Sequence, residues 1–152
     1  MAASAWQLYN KAKKKIGNGT ITLGAGVFKM VLATSASNAS TFTLSTYASL
    51  TNEIAATGGY TTGGKNIVPA TGYWTVGATT IQYKFTYSTV GLTFTASGAS
   101  LTNVKYAVIR NSTGATAGQM LCWCQLSSSQ FTVTSPNTLT ILPAATGVFT
   151  LT

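Results

Sequence analysis

Two different periods of apolar and polar residues divide the chain. Over residues 4–16, Ala5, Leu8, Tyr9, Ala12 and Ile16 fall in one helical stripe, with Gln7, Asn10, Lys11, Lys14 and Lys15 opposite, which predicts a short amphipathic surface helix. Ser4 stands where an N-cap is needed, and Gly17-Asn18-Gly19 supplies the stop. Lys13, Lys14 and Lys15 crowd the last turn, where each cation gains ~0.3 to 1 kcal/mol from the helix dipole.

From residue 20 the period drops to two. Residues 20–23 alternate, and residues 27–32 are nearly continuously apolar, as expected of a strand buried on both faces. A polar connection follows over residues 35–45, one short helical turn is expected within 46–54, and residues 58–64 read as a tight glycine loop. Residues 81–87 place Ile81, Tyr83, Phe85 and Tyr87 on one face, the cleanest alternation in the chain. Short strands are then expected at 92–96, 104–110, 120–126, 131–134, 139–142 and 148–151. The fold class that follows is mostly β, a jelly-roll or sandwich-like single domain over residues 1–152, with an N-terminal amphipathic helix (1–17) and a β-sandwich or jelly roll (18–152).

Composition narrows the chemistry. The chain has 152 residues, 45% hydrophobic and only 7% charged, against about 25% charged in an ordinary soluble protein. Thr, Ser, Ala, Gly and Asn must therefore supply most of its surface. Nine Lys and Arg face a single acidic residue, Glu53, with no Asp and no His. Carboxylate-pair hydrolysis needs two acids, Ser or Cys triads normally need His, and hard-metal sites need several oxygen anions. No enzyme activity, cofactor or metal site is expected, and more copies would supply no missing group. Cys122 and Cys124 flank Trp123. On a strand their parallel side chains suit a disulfide poorly, so two buried free thiols are expected. Residues 1–17 have no apolar core of signal-peptide type and no run approaches a membrane span, so synthesis in the cytoplasm and no membrane partner are expected.

Several segments carry a resemblance. Trp6-Gln7-Leu8-Tyr9-Asn10-Lys11-Ala12-Lys13-Lys14-Lys15-Ile16-Gly17-Asn18-Gly19-Thr20-Ile21 is followed in order by Phe28-Lys29-Met30-Val31-Leu32, Tyr47-Ala48-Ser49-Leu50-Thr51-Asn52-Glu53, Gly59-Tyr60-Thr61-Thr62-Gly63-Gly64-Lys65 and Val104-Lys105-Tyr106-Ala107-Val108-Ile109-Arg110. The ordered set resembles small tailed-bacteriophage virion structural proteins of the capsid decoration, or cement, type. The resemblance implies a homo-oligomer, dimer or trimer, that binds the major capsid protein, with the virion capsid as its location. Members often carry acidic residues where this chain has Arg110-Asn111-Ser112-Thr113-Gly114, so the group's electrostatics do not transfer.

Within that reading the expected partner contacts are Trp6, Tyr9, Lys11 and Lys14 on the first helix, and Tyr60 and Lys65 in the glycine loop. Three alternatives compete. A tail or head-fibre component fits the same resemblance. A glycan-binding adhesive module would use Tyr73, Trp74, Tyr83, Tyr87 and Trp123 as platforms, against the plainer expectation that these rings are core. Nucleic-acid binding is suggested by the net charge of +8, but Lys29, Lys65, Lys84, Lys105 and Arg110 are scattered without a recognised motif, so no specific nucleic acid is expected.

Overall fold

Residue Phe28 opens the strand around which the molecule is organised. A computed structural model describes residues 3–67, 74–76, 83–113 and 118–151; the expected Tyr73 and Ile81 lie outside these. Twelve strands are found among the described residues: β1 (Gln7–Leu8), β2 (Phe28–Ala33), β3 (Lys65–Asn66), β4 (Trp74–Val76), β5 (Tyr83–Phe85), β6 (Leu92–Thr95), β7 (Leu101–Val104), β8 (Tyr106–Asn111), β9 (Gln119–Gln125), β10 (Phe131–Val133), β11 (Thr138–Ile141) and β12 (Phe149–Leu151). One α-helix, α1 (Asn10–Gly17), and a 3-10 turn at Tyr47–Ser49 complete the described elements. The protein is mostly β, as its alternation predicts.

The strands form an antiparallel five-stranded sheet, ordered β1-β9-β8-β2-β3, a three-stranded sheet β12-β5-β4, and the pairs β10-β7 and β11-β6. Strand β2 lies inside the large sheet, and Phe28, Met30, Val31, Leu32 and Ala33 are all fully buried. Its apolar run is thus explained by burial on both faces. Phe28 meets Phe85 edge-on at 5.0 Å, an aromatic pair that ties the large sheet to the three-stranded one. Thr93 and Thr140 pair their hydroxyls at 2.8 Å across β6 and β11.

The N-terminus departs from expectation. Helix α1 begins at Asn10, not beside Ser4, and its N-cap, Tyr9, is extended with no side-chain cap. Residues before it pair with β9, Gln7 opposite Trp123 and Leu8 opposite Cys122. Ser4 serves this edge: its N–H donates to the Gln125 carbonyl at 2.8 Å, and its Oγ accepts from the Gln125 N–H at 2.9 Å. The physical reason is that β9 would otherwise present unpaired backbone groups, whereas a short isolated helix gains little by extending. Only Ala12 of the helix is fully buried, with Ile16 packed against the core.

Two strand expectations also change. Residues 20–23 form turns, although Ile21 and Leu23 are buried and Thr20 and Thr22 exposed. The alternation there reports burial without a partner strand, and the Ile21 N–H is satisfied by the Lys15 carbonyl at the helix end. On β5 the expected stripe splits: Phe85 and Tyr87 are buried but Tyr83 is 46% exposed.

Candidate interaction surface

The excursion between β2 and β3 carries the most organised polar chemistry. Beyond the reach of β3, the edge of β2 is covered by residues 52–54. Ala33 bridges Glu53, Ile54 N–H donates to the Leu32 carbonyl at 3.1 Å, and Thr34 N–H to that of Asn52 at 2.9 Å. This pairing delivers the Glu53 carboxylate to three donors. Tyr60 Oη donates to Oε1 at 2.6 Å, Gly63 N–H to the same oxygen at 2.8 Å, and Tyr47 Oη to Oε2. Tyr60 Oη also accepts from Leu32 N–H at 3.1 Å.

Arg110 of β8 closes the knot. Its Nε and Nη2 donate to the Gly63 carbonyl at 3.2 and 3.0 Å, and its guanidinium lies 4.3 Å from the centre of the Tyr47 ring. The chain's one acidic side chain is consumed in fastening the 3-10 turn, the glycine loop and the large sheet. Burial, then the Glu53 hydrogen bond and charge, push the Tyr47 hydroxyl up to about 12. Burial foremost raises Tyr60 further still.

The glycine loop is held at several points. Gly58, Gly59, Gly63 and Gly64 all have positive φ, between 61° and 90°. A Cβ on Gly64 would overlap the Met30 carbonyl, and one on Gly58 would crowd that of Ala99. Only glycine fits where the loop presses onto backbone.

The remaining reactive groups are shut away. Cys122 and Cys124 are free and buried on one face of β9. Burial first, and Cys124 second, hold the Cys122 thiol well above 9.0, while burial lifts Cys124 to about 12. Thiols so placed are protonated and inert at neutral pH. Among the described residues no three His, Cys, Asp or Glu side chains gather where they could hold a metal ion.

The six expected contact residues do not form one surface. Tyr9 is fully buried, with its hydroxyl donating to the Ala39 carbonyl at 2.6 Å, and Tyr60 is buried with its ring against Phe94 and its hydroxyl in the Glu53 knot. Both are corrected from partner contacts to core tyrosines, because each ring is worth more in the core and its one polar atom has an internal partner. Lys11 and Lys14 are exposed on α1. Trp6 is half-buried and packs against the core. Lys65 is exposed, its Nζ donating to the Thr93 carbonyl at 2.7 Å.

A groove of about 550 Å³ opens where Lys65 crosses from β3 to β6, lined by Lys29, Tyr60, Lys65, Asn66, Phe94 and Thr95 among others. Lys29 was not among the expected contacts, though a lone cation inside an apolar strand was its signal. Strand pairing brings it there: Lys29 stands opposite Asn66, and Met30 opposite Lys65. Apolar exposure lies elsewhere, at Val27, Phe42, Tyr83, Val90, Leu142 and Leu151. Tyr83 stacks on Trp74 at 5.6 Å and 13°, whereas Tyr87 is buried and Trp123 is half-buried between Phe42 and Tyr106. No helix among the described residues is long and apolar enough to cross a membrane. No family model matches the chain, and no curated protein and no solved structure matches it significantly.

Proposed function

We propose that this chain is a structural protein of a bacteriophage virion that decorates and stabilises the capsid shell by binding the major capsid protein. The observation that carries the reading is the fate of the titratable groups. The sole carboxylate is spent in an internal knot and both thiols are buried. What remains outward is a largely uncharged surface studded with cations. Such a surface suits packing among many copies, in which modest contacts are multiplied by valency, and its charge steers it to an acidic partner. The ordered sequence resemblance points the same way and names the shell as partner. On this reading the chain is not an enzyme, is made in the host cytoplasm, and acts as a dimer or trimer on the virion. A tail or head-fibre position is compatible with the same features.

The test is addition of the purified protein to capsids stripped of accessory proteins. Binding in a fixed copy number and a raised capsid melting temperature are expected. Capsids that neither retain the protein nor gain stability overturn the reading. The half-exposed Trp74–Tyr83 stack favours a second reading, a glycan-binding module. Sugars stack on such rings, and a glycan array without a signal removes it.

A further inference from the structure

The groove beside β3 is positively charged and has no counter-ion among the described residues. The Lys29 ammonium makes no hydrogen bond or ion pair among the described residues, and Lys65 spends one of its three ammonium protons on the Thr93 carbonyl. Glu53 already accepts from Tyr47, Tyr60 and Gly63, and no bond joins it to either lysine. Lys29 is half-buried, which weakens solvent screening of its charge. The walls are firm: the glycine loop is clamped onto the Met30 carbonyl at Gly64, and Ser97 N–H donates to the Gly58 carbonyl at 3.1 Å. Thr95 and Asn66 add polar side chains, and Phe94 an apolar wall.

We infer that this groove is a docking site for an acidic protein segment, with Lys29 and Lys65 pairing its carboxylates and Asn66 and Thr95 offering hydrogen bonds. The identity of that segment's owner as the capsid shell rests on the function proposed above; the groove's chemistry does not. Two cations beside an apolar wall match a short stretch with one or two carboxylates. A nucleic-acid strand would call for a longer basic track with rings on which bases stack, and the basic helix α1 lies on β9, away from β3 in the sheet order.

The test compares two double variants of equal charge, Lys29→Gln with Lys65→Gln, and, as a control away from the groove and from the expected contacts, Lys13→Gln with Lys105→Gln. Each is titrated with hexaglutamate, followed by amide chemical shifts, and each is assayed for retention on stripped capsids. Hexaglutamate should move the amides of Gly59, Thr61, Asn66 and Thr95. The groove variant should bind both peptide and capsid about tenfold more weakly, and the control variant less than about twofold. Lys65→Glu, which acts by repulsion at an exposed position, should lose binding in the same way. If the groove variant holds capsids as well as the parent does and hexaglutamate leaves those amides unmoved, the inference is wrong while the proposed function stands. If the parent ignores capsids yet hexaglutamate binds the groove through the two lysines, the site stands and the capsid reading falls. An oligothymidylate that displaces hexaglutamate from the groove overturns the assignment to an acidic protein segment.

Discussion

Arg110 lies over the ring of Tyr47 while both of its donating nitrogens close on the Gly63 carbonyl. A strand, a helical turn and a loop from distant parts of the chain therefore meet on two side chains, and the carboxylate of Glu53 completes the join.

Replacing Glu53 should reveal how much of the fold depends on that join. Glu53→Ala leaves Tyr47, Tyr60 and the Gly63 N–H without their acceptor, and unsatisfied buried groups cost about 1 to 3 kcal/mol each. Urea unfolding should show a loss of at least about 2 kcal/mol for Glu53→Ala, and a smaller loss for Tyr60→Phe, which strands the Leu32 N–H but leaves the carboxylate its bonds from Gly63 and Tyr47 and keeps the ring packed. Equal midpoints for wild type and Glu53→Ala would refute the structural role.

Two glycines separate backbone strain from steric overlap. Gly98 has φ of 73° with open space where a Cβ would stand, whereas Gly64 has φ of 81° and faces the Met30 carbonyl. Gly98→Ala should cost about 1 to 2 kcal/mol from the left-handed conformation alone. Gly64→Ala should exceed about 3 kcal/mol, because the loop must also move off the sheet. Thermal melts that rank them the other way would contradict the clamped loop.

Alkali should unfold the protein by way of its buried hydroxyls and thiols. Tyr9, Tyr60 and Tyr87 are raised above 10.0 chiefly by burial, and so are both thiols above 9.0. A weak acid whose folded value is raised binds more protons when folded than when unfolded at high pH. Its contribution is complete below the unfolded value and is lost as pH rises. Stability should begin to fall near pH 9 and keep falling beyond pH 12, the value reached by Tyr47 and Cys124. A denaturation midpoint that holds constant from pH 8 to about pH 11 would contradict this.

Thiol labelling offers a direct readout of the core. Cys122 and Cys124 should resist a disulfide reagent in the native protein at pH 8 and both react once denaturant unfolds it. Rapid labelling of the native protein would mean that β9 is exposed.

Much of the fold was legible because period-2 alternation survives wherever a strand has one wet face, as on β6 and β11. The continuous run of β2 was equally clear, since burial on both faces needs no polar positions. The glycine loop announced itself through its spacing of glycines. The helix start was not legible: Leu8 and Tyr9 fit a helical stripe as well as they fit a strand and a cap, and the choice depends on the vacant edge of β9, far along the chain. Sheet order, and with it any jelly-roll connection, is a matter of partners that alternation does not specify. Of the surface, exposed Lys11, Lys14 and Lys65 were readable as charges. Tyr9 and Tyr60 were misread because a tyrosine's hydroxyl suggests solvent, while here an internal carbonyl and an internal carboxylate receive it. Lys29 joined Lys65 only through strand pairing, which sequence distance conceals.

The bond between Ser4 and Gln125 joins residues 121 apart in the chain. A nascent chain leaving the ribosome can pair β2 with β8 once residue 111 has emerged, but its first strand has no partner until β9 follows. The residues of β1 must therefore wait, unpaired, until the chain between them and β9 has been made. Closure of the sheet is a late event, and a message cut short before β9 would release a chain whose N-terminal strand has nothing to join.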